Sequence, residues 1–87
     1  MKYTIIWTPK AVRAALKIWR RATDQAVLTR ALDELTVQLT ESDPRTVGES
    51  REDHQRVTYA SPLAVRYEVI LDDYQVRIVA VWQIKPV

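Results

Sequence analysis

A chain of 87 residues with 47% hydrophobic and 28% charged side chains reads as one globular domain, residues 1–87, rather than a disordered segment or a two-domain protein. The absence of cysteine excludes disulfides, thiol catalysis and thiolate metal sites, and no apolar run resembles a signal peptide or approaches the roughly 18 residues of a membrane span, so a cytoplasmic protein is expected. Net charge is only +2, but residues 1–40 carry seven Lys or Arg against three Asp or Glu, residues 41–54 two against five, and residues 55–87 four against three; such a basic N-terminal half invites nucleic acid or an acidic protein.

Residues 2–8 are β-branched and aromatic and predict a first strand. Thr8-Pro9 then supplies an N-cap hydroxyl followed by Pro at the first helical position, and a helix is expected to about Ala22. Val12, Ala15, Leu16 and Trp19 fall at i, i+3, i+4 and i+7 and predict its core face. Lys10, Arg13, Lys17, Arg20 and Arg21 fall within an arc of about 100° elsewhere on the helix.

Thr23-Asp24 breaks the pattern, and either residue caps a second helix. Leu28, Ala31, Leu32, Leu35 and Leu39 keep the helical spacing to about residue 40, so the short connection predicts an antiparallel helical hairpin. Asp43-Pro44 ends it.

The stretch Val47 to Arg56 holds six ionisable side chains, the only His of the chain among them, and the only Gly. Polar groups presented by a rigid scaffold are where function usually resides. Three strands are then expected. Residues 55–60 place Val57 and Tyr59 on one face and Arg56 and Thr58 on the other. After a Ser61-Pro62 turn, residues 63–71 place Leu63, Val65, Tyr67, Val69 and Leu71 opposite Ala64, Arg66, Glu68 and Ile70. Asp72-Asp73 marks a turn, and residues 74–84 place Val76, Ile78, Ala80, Trp82 and Ile84 on one face with Val79 and Val81 on the other. The order β-α-α-β-β-β predicts an α+β fold, with a helical hairpin on one face of a mostly antiparallel four-stranded sheet. Trp7, Trp19 and Trp82 stand at core-phase positions.

For chemistry, metal-free acid–base work on an anionic group needs a side chain that takes or gives a proton and cations that hold the anion. His54 is the candidate acid or base, because the reference pKa of a histidine lies near neutrality, and Arg51, Arg56 and Arg66 offer guanidinium groups for phosphate. Arg56 and Arg66 are expected on paired strands, within reach of one anion. One His without Cys matches no metal-ligand spacing, and a single Gly builds no phosphate loop; no metal and no cofactor are expected.

Four strings carry a family resemblance: Tyr3-Thr4-Ile5-Ile6-Trp7-Thr8-Pro9-Lys10-Ala11, Asp43-Pro44 with Val47-Gly48, Pro62-Leu63-Ala64-Val65-Arg66-Tyr67-Glu68-Val69, and Val76-Arg77-Ile78-Val79-Ala80-Val81-Trp82. Together with the element order they resemble the RelE/ParE superfamily of bacterial toxins from type II toxin–antitoxin pairs. The Val47 to Glu52 string is similar to the sub-group labelled plasmid-stabilisation toxins. The resemblance implies a growth-inhibiting toxin neutralised by a cognate antitoxin, typically through an acidic, partly disordered tail; Lys10, Arg13, Lys17 and Arg21 are the residues expected to receive it. It also implies one of two targets, ribosome-bound mRNA that is cut or DNA gyrase that is bound without catalysis. The RelE-type strand Arg two or three residues before the Tyr is replaced here by Ala64 and Val65, and Gln83 to Val87 lacks a basic-aromatic tail. Ribonuclease chemistry, gyrase binding and a non-toxic protein-binding role of the same fold all remain open at this point.

Overall fold

The computed structural model describes residues 3–41, 43–50 and 55–85. Strand β1 (Thr4–Trp7) leads into helix α1 (Pro9–Arg21) and helix α2 (Gln25–Glu41), followed by β2 (Glu49–Ser50), β3 (Gln55–Ala60), β4 (Leu63–Ile70) and β5 (Gln75–Gln83). The sheet has five strands in the order β1-β5-β4-β3-β2. Only β1 runs parallel to its neighbour, β5; the other pairs are antiparallel. The fold is thus α+β as expected, with one strand more than the expected four. The added strand, β2, is two residues cut from the charged segment.

The capping reading holds. Thr8 Oγ1 accepts a hydrogen bond from the Ala11 amide at 3.3 Å and donates one to the Ile78 carbonyl at 2.9 Å, so the start of α1 is tied to the strand beside β1. Asp24 Oδ1 accepts from the Ala26 and Val27 amides at 3.2 and 3.4 Å and starts α2. Both helices pack on one face of the sheet. Leu28, Ala31, Leu35 and Leu39 of α2 meet Leu63, Val65 and Tyr67 of β4 and Val76, Ile78 and Val81 of β5, with Ile5 and Trp7 of β1 at the margin.

Two strand phases differ from the sequence reading. In β3 the alternation is as expected, but Arg56, Thr58 and Ala60 pair with Tyr67, Val65 and Leu63 and therefore share the helix-side face. In β5 a bulge intervenes: Arg66 pairs with Ala80 while Tyr67 pairs with Ile78, so Val79 is an extra residue. Past it the side chains change faces. Val81 joins the core, whereas Ala80 and Trp82 lie on the far face opposite Arg66 and Ala64. Trp82 is thus half-buried outside the helix-side core, while Trp7 and Trp19 pack against it.

Beyond the end of β2, the outer edge of β3 is met by α2. The Thr58 hydroxyl donates to Gln38 Oε1 at 2.8 Å, and Gln38 Nε2 donates to the Tyr59 carbonyl at 3.1 Å. At the opposite end of β4 the chain turns through Leu71–Tyr74 into β5, with Tyr74 at φ 50 and its ring 5.6 Å from that of Tyr3. The Thr4 amide donates to the Tyr74 carbonyl at 2.8 Å, which fixes β1 to that turn.

Candidate functional site

The charged segment enters the sheet through a clamp on its first residues. Tyr67 is 0% exposed, and its hydroxyl lies 2.8 Å from the Pro44 carbonyl and 2.7 Å from the Val47 carbonyl; its single proton serves one of them at a time. Beside it, Arg56 Nε donates to the Val47 carbonyl at 2.9 Å and its Nη2 to the Gly48 carbonyl at 3.0 Å. Burial pushes the Tyr67 hydroxyl above its ordinary pKa, against the pull of the neighbouring Arg56 guanidinium. Gly48 has φ 70, and a Cβ there would lie 2.2 Å from the Val57 carbonyl oxygen, so only Gly fits between the loop and β3. Upstream, Arg45 and Asp43 form an exposed ion pair at 2.7 Å, and hydrogen bonding to Arg45 holds the Asp43 carboxyl at about 2.

The four residues expected to form a catalytic surface fare differently. Arg51 and His54 lie outside the described residues. Arg56 is on the helix-side face, engaged by two loop carbonyls, while Arg66 is exposed on the far face opposite Val57. Register decides this: residues directly opposite across β3 and β4 share a face, and the pairs are Arg56 with Tyr67 and Val57 with Arg66. The structure therefore does not bring Arg56 and Arg66 onto one anion, as the sequence reading expected. Arg77, the other cation of that far face, lies 3.9 Å from Glu68. Among the described residues no group of His, Asp or Glu is placed to hold a metal ion.

Helix α1 carries the more open surface, in three sectors. The core-facing row is made of Ala11, Ala14, Ala15, Ile18 and Ala22, with Trp19 at its border. These small side chains let the helix lie close to the sheet. The larger residues expected in the core, Val12 and Leu16, are left 40% and 46% exposed. They form, with Trp7, Ala15, Trp19 and Leu32, an open apolar groove of about 240 Å³ between α1, α2 and β1. The third sector is cationic: Arg13, Lys17, Arg20 and Arg21 surround an open basin of about 480 Å³, and Leu16 is the one apolar side chain lining it. Lys10, Arg13, Lys17, Arg20 and Arg21 make no ion pair with any described residue. The sequence reading, which put Val12 and Leu16 in the core, missed this groove; the signal for it is that α1 carries two apolar rows, and a single helix cannot bury both against one sheet.

No family model matches this chain, and no curated protein matches it. Solved structures do. A chain of the toxin–antitoxin complex RelBE2 from Mycobacterium tuberculosis superposes with a TM-score of 0.74 at 16% identity, covering 95% of this chain and 92% of that one. A chain of the chromosomal ParDE toxin–antitoxin system from P. aeruginosa does so with a TM-score of 0.71 at 14% identity, covering 95% and 97%. At these identities the likeness is one of fold: two helices on a mixed five-stranded sheet, as in RelE/ParE-like structures.

Proposed function

We propose that this chain is the toxin of a type II toxin–antitoxin pair, and that a cognate antitoxin protein holds it inactive by covering α1. The observation that carries the reading is the apolar groove of Trp7, Val12, Leu16, Trp19 and Leu32, left open on a fold that recurs in toxin–antitoxin systems. A groove with two Trp side chains and two exposed aliphatic ones is a natural seat for a protein segment. The cations beside it, Lys10, Arg13, Lys17 and Arg21, add attraction for an acidic one.

For the target, the engagement of Arg56 with the Val47 and Gly48 carbonyls weighs toward growth inhibition by binding, as a gyrase poison does, over cleavage of ribosome-bound mRNA. A nuclease needs cations free to meet developing phosphorane charge. On the described sheet that leaves Arg66, with Arg51 and His54 in the adjoining segment as its candidate companions. Inducible expression with and without the neighbouring gene tests the toxin reading, with arrest expected only when the chain is expressed alone. Failure to arrest growth would leave a protein-binding module of this fold. Translation of a defined mRNA beside a gyrase supercoiling assay then separates the two targets, and mRNA cut in the ribosomal A site and abolished in Arg66→Ala would overturn the binding assignment.

A further inference from the structure

We infer that the cationic sector of α1, which borders the apolar groove at Leu16, is also a nucleic-acid backbone site. The inference goes beyond the toxin reading and stands whether or not the chain arrests growth. Five of the chain's cations lie on this one helix, which carries no acidic residue, and the rest of the chain is net acidic. The sequence pI of about 9.2 is therefore the property of one ridge. A basic stripe along a helix is the electrostatic footprint of phosphate binding.

Two features suit this sector to phosphates. Arg13, Arg20 and Arg21 are three of the four cations around the basin, and a guanidinium fork matches paired phosphate oxygens where an ammonium is a point charge. Arg13, Lys17 and Arg21 step along the helix by about 6 Å at 1.5 Å per residue, a linear array suited to a polymer with one charge per repeat.

The number of cations fixes the test. If each of the four neutralises one phosphate, log affinity against log salt has a slope of about −2.8 for a single strand and about −3.6 for a duplex. Fluorescence anisotropy of the purified full chain with a labelled oligouridylate and with a labelled DNA duplex measures both slopes and distinguishes the two sources of the backbone. Lys17→Gln is expected to make the single-strand slope shallower by about 0.7, and the quadruple Gln variant at Arg13, Lys17, Arg20 and Arg21 to abolish binding. Arg77→Gln, on the far face of the sheet, should leave the slope unchanged. Circular dichroism confirms that each variant keeps its helices, which Gln supports well. A slope shallower than about −1, binding undiminished in the quadruple variant, or capture of poly-glutamate without either oligonucleotide would overturn the inference. Growth arrest is measured independently, so loss of this site and loss of the toxin reading are distinguishable.

Discussion

The junction from Pro44 to Gly48 and the outer surface of α1 use their side chains in opposite ways. At the junction the polar groups face inward: the Tyr67 hydroxyl, the Arg56 guanidinium and the one Gly hold a loop against the sheet. On α1 the groups face outward: Val12 and Leu16 are exposed, and five cations make no ion pair with any described residue. Residue type alone suggests the reverse, an Arg beside a His as chemistry and an apolar heptad as core. The difference teaches that a side chain available for function is one the scaffold does not already use. Mutations in the two regions should therefore act on different observables.

The largest effect is expected at Gly48. A Cβ 2.2 Å from the Val57 carbonyl, at positive φ, forces the loop off β3, so Gly48→Ala should cost about 3 kcal/mol or more in a urea melt. A near-normal midpoint would show that the junction is not a clamp. Next comes the contrast between the two sheet arginines. Arg56→Ala leaves the Val47 and Gly48 carbonyls without their charged donor and should cost about 1.5–3 kcal/mol, whereas Arg66→Ala should change stability by less than about 0.5 kcal/mol. Equal losses would mean that Arg66 also belongs to the scaffold.

Tyr67→Phe removes one buried donor and should cost about 1–3 kcal/mol near neutral pH. It also carries a pH signature. The folded Tyr67 hydroxyl titrates above its unfolded value of 10.0, so the stability it contributes is complete below that pH and is lost as pH rises through the folded pKa. Wild type should weaken on the alkaline side more steeply than Tyr67→Phe; parallel pH profiles would break the assignment. On α1, Leu16→Ala and Lys17→Ala should each move stability by less than about 0.5 kcal/mol while weakening capture of the partner protein, read by co-purification. The smallest effect is at Asp43. Its carboxyl is held at about 2 against 3.8 for the free group, so the exposed pair with Arg45 helps above pH 3.8 and is lost as pH falls toward 2. The acid-unfolding midpoint of Asp43→Asn should lie slightly above that of wild type.

Local signals were legible in the sequence. Thr8-Pro9, Asp24 and Ser61-Pro62 each act through neighbours within a few residues, and all three punctuate the chain as expected. What was not legible depends on pairing across the fold. Nothing in Glu49-Ser50 announces a strand, because two residues have no period and β2 exists only through Val57 and Arg56 opposite it. The placement of Trp82 rests on one extra residue, Val79, and strand alternation carries no mark of where a bulge falls. Arg56 reads as a free cation until its cross-strand partner is known to be Tyr67. Of the candidate site, the α1 cations were visible as a stripe; the groove was not, because apolar spacing does not say which of two rows meets the sheet.

The contact of Gln38 with β3 bears on how copies of this chain coexist at high concentration. An edge strand is a template on which another chain can continue the sheet, and β2 covers only Arg56 and Val57. The next carbonyl facing the same way, that of Tyr59, is taken by the Gln38 side-chain amide. A helix residue thus stands in for a missing strand, and along β3 beyond β2 the protection from sheet-to-sheet growth resides in α2.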